Sequence, residues 1–169
     1  MKFKLLMAMI LLMTVGCGKT DTAKETSQPE KVTYMETGQD SLEKGDIATA
    51  IQNFDAAIKQ DPTNTANYIP LGELYLRTQN YTAAVDTFNA AAKINPADGE
   101  TQYFLALSSL LKSQLEESRG NATEVEFYRD KALMAGKQSA EIFLQARDEE
   151  RFKKAVAIVK SLMDEVPAE

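Results

Sequence analysis

Cys17 is the single cysteine of the 169-residue chain, and there is no histidine and no tryptophan. A lone thiol cannot form an intramolecular disulfide or a cysteine-based zinc site. Without histidine, the commonest general base and metal ligand is missing. Carboxylates remain. Glu36, Asp40 and Glu43 fall on nearby helical turns, a spacing that reads as a solvated acidic face rather than a cation site. Asp148-Glu149-Glu150-Arg151, followed by Lys153 and Lys154, reads as a charged turn and not as a catalytic cluster. Asn80-Tyr81-Thr82 and Asn121-Ala122-Thr123 match the glycosylation sequon, but Tyr81 is already accounted for by a repeat position. No P-loop, glycine-rich dinucleotide turn, nucleophile elbow or zinc motif is present. The expectation is a protein that is not an enzyme, with no cofactor and no metal.

The elements that carry these residues follow from composition and pattern. At 44% hydrophobic and 26% charged, with 8 Gly and 5 Pro, the chain is globular, not disordered, collagenous or multi-spanning. The net charge of −6 argues against a nucleic-acid partner, because phosphates need clustered Lys and Arg. Lys2 and Lys4 precede an uncharged run from Leu5 to Val15. Eleven residues are too few to span a bilayer, which needs ~20, but they suit the apolar region of a secretory signal.

Thr14-Val15-Gly16-Cys17 resembles a bacterial lipobox, departing from its preferred pattern only in Thr14, where Leu is usual. The resemblance implies that residues 1–16 are a lipoprotein signal peptide, removed before Cys17, and that Cys17 carries diacylglycerol and an acylated amine. Two or three acyl chains anchor stably where one does not. By the sorting rule of such lipoproteins, Gly18 in place of Asp implies delivery to the outer membrane, facing the periplasm. Removal of Lys2 and Lys4 would leave 17 basic and 25 acidic side chains, a charge of −8. Residues 17–30 contain no large apolar side chain beyond the anchor and read as a flexible tether.

Residues 31–169 are organised by a repeat. Tyr34, Gly38, Ala50, Phe54, Ala57 and Pro62 recur 34 positions later as Tyr68, Gly72, Ala84, Phe88, Ala91 and Pro96. This pattern resembles the tetratricopeptide repeat, a helix–turn–helix unit of that length. The implied fold is all-α: an α-solenoid of about three to four tetratricopeptide-like repeats, over 31–64, 65–98, an irregular 99–135, and 136–169. Independently, Gly38 and Gly72 sit where mid-helix Gly costs ~1 kcal/mol, which points to a close helix–helix contact. Ala50, Ala57, Ala84 and Ala91 are the expected small partners, with Phe54 and Phe88 between repeats. Gly45 breaks the helix pair, and Asp61-Pro62 and Asn95-Pro96 stop the second helices. In the third copy, placing Ala132 on the repeat's Ala takes about seven extra residues, expected in a longer turn around Gly120-Asn121. In the fourth, Ile142, Phe152, Ala155, Val159, Leu162 and Pro167 stay in register, but Phe143 stands where the packing Gly belongs. That pair is expected to sit further apart.

In such a solenoid the first helix of each repeat lines a concave surface. The exposed stripe then runs through Val32, Met35, Gln39 and Leu42; Ala66, Ile69, Glu73 and Leu76, with Arg77 beside them; Glu100, Tyr103, Leu107 and Leu110; and Lys137, Ala140, Leu144 and Arg147. Met35, Leu42, Ile69, Leu76, Tyr103 and Leu107 form an apolar patch with Gln39, Glu73 and Arg77 as polar handles, a pattern typical of partner sites. For Leu107, Leu110 and Leu144 a second reading stays open, in which the last helices fill the groove and these leucines are core. Met35, Gln39 and Pro70 stand where some tetratricopeptide domains carry the Lys and Asn that grip a chaperone's terminal carboxylate, so that clamp is absent. The resulting expectation is a scaffold or adaptor, lipid-anchored in the bacterial envelope, that binds a protein or peptide partner there. The alternative is a permanently buried structural subunit of an envelope assembly or secretion complex.

Overall fold

The computed structural model describes residues 33–164. The signal segment 1–16, Cys17 and its tether 17–30, Val32 and Pro167 lie outside the described residues. Seven α-helices and one 3-10 turn are described: α1 Tyr34–Glu43, α2 Ile47–Gln60, the turn Thr65–Asn67, α3 Tyr68–Arg77, α4 Tyr81–Ile94, α5 Gly99–Ser118, α6 Ala122–Gln145 and α7 Glu149–Asp164. Sequential neighbours pack as antiparallel hairpins, α1 on α2, α3 on α4 and α5 on α6, stacked side by side, with α7 closing on α6 and α5. This is the α-solenoid expected from the repeat. Among the described residues, no helix is long and apolar enough to cross a membrane.

Local chemistry sets the helix ends. Thr33 and Glu36 form a reciprocal capping box, the Glu36 N–H donating to Thr33 Oγ1 at 3.2 Å and the Thr33 N–H to Glu36 Oε2 at 2.7 Å. Asp46, Asn80, Asp98 and Asp148 accept backbone N–H groups at the starts of α2, α4, α5 and α7. The α1–α2, α3–α4, α5–α6 and α6–α7 turns share one geometry. Each places one residue at positive φ: Gly45 (78°), Gln79 (58°), Gly120 (77°) and Arg147 (57°). The next residue's N–H then reaches back five positions, to Ser41, Tyr75, Glu116 and Phe143 carbonyls. This is the Schellman closure of a helix end.

Gly38 and Gly72 mark the tightest contacts, but to phenyl rings and not to the alanines. A Cβ built on Gly72 would lie 2.3 Å from Phe88 Cζ, and one on Gly38 2.6 Å from Phe54 Cε1. Both rings are fully buried, worth ~2–3 kcal/mol each. They also reach the next hairpin: Phe54 packs with Leu71 and Leu74, and Phe88 stacks on Phe104 at 5.1 Å and 10°.

The third repeat departs from expectation in two ways. Its extra residues lengthen the helices instead of the turn, which remains three residues, 119–121. Gly136 faces Ala106, 30 positions apart, where Gly38 and Phe54 are 16 apart; the excess of fourteen is two helical turns on each arm. Secondly, the boundary between 99–135 and 136–169 falls inside α6, which runs unbroken from Ala122 to Gln145. No Asp-Pro or Asn-Pro stands near 135 to stop it, and a single Gly136 does not end a helix. Phe143 packs in a small cluster with Ala155 and Phe152 of α7. Its ring packs on Gly99 of α5, where a Cβ would lie 2.9 Å from it. The close α6–α7 approach is at Gly136, 3.0 Å from Val159 by the same measure.

The lengthened hairpin buries charge. Lys112 Nζ lies 2.6 Å from Glu116 Oε1, the side chains 10% and 5% exposed, and Arg119 and Asn121 also donate to Glu116. These bonds hold the Glu116 carboxyl at about 2, well below the usual range, the Lys112 hydrogen bond contributing most.

Candidate partner-binding groove

The first helices α1, α3 and α5 lie side by side, and a groove of about 480 Å³ opens between them. α1 contributes Gln39, Leu42 and Glu43; α3 contributes Pro70, Glu73, Leu74, Leu76 and Arg77; Phe54 and Phe104 complete it. Leu74 and Phe54 form a buried floor, Leu42 and Leu76 half-buried walls, and Gln39, Glu43, Glu73 and Arg77 an exposed rim. Helical spacing explains the grouping. Residues three and four apart share a face, so Gln39 with Leu42 and Glu43, and Glu73 with Leu76 and Arg77, point the same way.

Of the residues expected in the groove, Gln39, Leu42, Glu73, Leu76 and Arg77 come together here. Met35 is half-buried against the first hairpin's core. Ile69 and Leu107 are half-buried against the core of the second and third hairpins. Tyr103 lines a separate depression of about 130 Å³ with Glu100, Phe104, Phe143, Arg151 and Lys154. Leu110 is core at 8% exposure, whereas Leu144 is 61% exposed and fills nothing. Among the described elements, the groove between α1 and α3 is open.

Phe104 was not legible as a site residue. It follows Tyr103 in the stripe, and only its stack on Phe88 turns it to the groove wall. Phe54, in the sequence a repeat position, and Pro70, in the sequence a residue at the place of the absent carboxylate clamp, both line the groove.

The rim's electrostatics are uneven. Partial burial pushes the Glu73 carboxyl above its usual range, the negative charge of Glu100 adds to this, and Arg77 offsets it in part. In the smaller depression the cations are tied down: Arg151 donates to Asp148 at 2.6 Å with its guanidinium 5.0 Å from the Phe143 ring centre, and Lys154 reaches Glu150 at 2.8 Å. Of the acidic trio of α1, Glu36 is occupied by the cap and Asp40 by Lys44. Among the described residues, no group of three or more His, Cys, Asp or Glu is placed to hold a metal ion.

Residues 41–107 match the tetratricopeptide repeat family. That segment holds the first two hairpins' turns and most of the groove. The fold is likewise that of solved tetratricopeptide structures. One is the TPR2B domain of yeast Sti1 in complex with pHsp70, with a TM-score of 0.63 and 11% identity over 79% of this chain and 95% of that one. Another is the first TPR of Spaghetti (RPAP3) bound to an HSP90 peptide, at 0.59 and 14% over 78% and 88%. A thermophilic TPR protein of Thermus thermophilus gives 0.51 and 14% over 78% and 73%. Among curated proteins, Superkiller protein 3 of Schizosaccharomyces pombe is 29% identical over 96 residues, 57% of this chain but 7% of its own length. Human Superkiller complex protein 3 is 31% identical over 90 residues, 53% of this chain and 5% of its own. The chain thus spans a small part of these relatives, and what is shared is the repeat. Tetratricopeptide repeats generally mediate protein–protein interaction and are generally non-enzymatic.

Proposed function

We propose that this protein is a non-enzymatic adaptor that captures a segment of a partner protein in the groove between α1, α3 and α5. The observation that carries the reading is the groove's make-up: an apolar floor and walls from Leu42, Leu74, Leu76 and Phe104 under a polar rim. Large side chains anchor in such a floor, and rim hydrogen bonds fix register. The Thr14–Cys17 motif supports a lipid anchor at Cys17 in a bacterial envelope, on the periplasmic face of the outer membrane. Confinement there would raise the effective concentration of partners at the same surface without any new contact.

Two variants test the two halves. Gln39 is exposed, so Gln39→Trp fills the groove without disturbing the core. In-cell crosslinking should capture specific envelope proteins with the wild type and lose them with Gln39→Trp. Persistence of the same partners would place binding elsewhere. Cys17→Ser should move the protein from the membrane to the soluble fraction; unchanged membrane association would remove the anchor from the reading.

A further inference from the structure

The groove's charges say what kind of segment fits it. Glu43 and Glu73 stand on its rim, and Glu100 stands at the first turn of α5, beside Phe104. Among the described residues, no Lys or Arg nitrogen lies within ion-pair distance of any of the three, although seven other carboxylate–cation pairs are formed. Glu43 is the last residue of α1, and that helix has no basic residue in its final turn. A carboxylate at a helix C-terminus faces the negative end of the macrodipole, so Glu43 does nothing for its own helix. Glu73 is partly desolvated over the apolar wall, and the repulsion from Glu100 outweighs the attraction of Arg77. Glu100 itself lies in the neighbouring depression with Arg151 and Lys154, so the groove's own lining carries Glu43 and Glu73 against the single cation Arg77, an excess of one negative charge beside an apolar slot. A cation brought in by a ligand would relieve that excess, whereas an added carboxylate would deepen it.

Resting on the groove reading above, we infer that the occupant is a segment with a Lys or Arg beside one or two large apolar residues. The apolar side chains seat between Leu42, Leu76 and Phe104, and the cation meets Glu73 from the rim.

The test is a displayed library of random dodecapeptides, panned against the full-length protein in non-ionic detergent, with the Gln39→Trp variant panned in parallel. The expected pool is rich in Lys or Arg next to Leu, Met or Phe and is not retained by Gln39→Trp. Its peptides should bind about fivefold more weakly to Glu73→Gln, and more weakly as salt is raised. Glu73 is exposed, so this variant and the charge-reversing Glu73→Lys leave the fold intact, as far-UV circular dichroism checks. A pool lost on Gln39→Trp but acidic or without charge bias overturns this inference and leaves the groove standing. No enrichment, or enrichment equal on Gln39→Trp, overturns the groove reading itself and this inference with it.

Discussion

Replacing Gly72 by alanine sets two physical effects of opposite sign against each other. In an exposed helix interior the change would stabilise by ~1 kcal/mol, because Gly is the poorer helix former. Here the added methyl would lie 2.3 Å from Phe88 Cζ, with two more ring carbons at 2.6 and 2.7 Å. That is more than ~1 Å inside ordinary carbon contact. The ring cannot yield cheaply, since Phe88 is fully buried and stacked on Phe104. Overpacking of this severity costs roughly 3 kcal/mol, the upper end of the usual range. The net expectation is a loss of about 2 kcal/mol, or roughly 6 °C in melting temperature for a domain of this size. Thermal melts followed by circular dichroism measure it. The second arm is the same substitution in a Phe88→Leu background, where the clash is gone and Gly72→Ala should become neutral or slightly stabilising. A Gly72→Ala protein as stable as wild type would refute the reasoning, as would a penalty that survives in Phe88→Leu.

Gly136→Phe should displace α7, because the site already lies 3.0 Å from Val159 and 3.7 Å from Ala106 by the Cβ measure; hydrogen exchange should show residues 149–164 losing protection while α1–α4 keep theirs, and unchanged protection of α7 would contradict the packing. Glu116→Gln should flatten the acid sensitivity of stability. With its carboxyl held at about 2 in the folded state, well below the 4.5 of a free glutamate, Glu116 contributes stability above pH ~4.5 that is lost as pH falls toward ~2. Urea midpoints at pH 6 and pH 3 compare the two proteins, and an identical drop in both would count against the buried network.

Much of the fold was legible because the repeat writes its turns in local chemistry. Gly45 breaks α1 from α2, and Asp61-Pro62 and Asn95-Pro96 follow the ends of α2 and α4, as the sequence expects, whereas the caps Asp46 and Asn80 and the positive-φ Gln79 emerge only in the structure. The cost of glycine inside a helix pointed to Gly38 and Gly72 as close contacts before any neighbour was known. The partner was misassigned: the alanines are small and buried, but the rings of Phe54 and Phe88 are what sit over the glycines. Helical periodicity placed Gln39, Leu42, Glu73, Leu76 and Arg77 on one face, and they do share the groove. It placed Met35, Ile69 and Leu107 on that face equally well, yet these turn toward the core because neighbouring helices cover them.

The sequence by itself determined the all-α class, the 34-residue period, the Gly45 break and the Asp61-Pro62 and Asn95-Pro96 stops. The break and the stops depend on groups within about five residues of each other, through a positive φ or a proline. Tertiary structure decided the rest. It ran α6 through the expected boundary at 135, since a helix with no stop signal continues wherever packing can bury it, and α5 and α7 bury this one. It sent Phe143 to Gly99, 44 positions away, and it turned Phe104 to the groove through its stack on Phe88. Those placements come from the fit of one hairpin's surface against the next, and no window along the chain contains both sides of that contact.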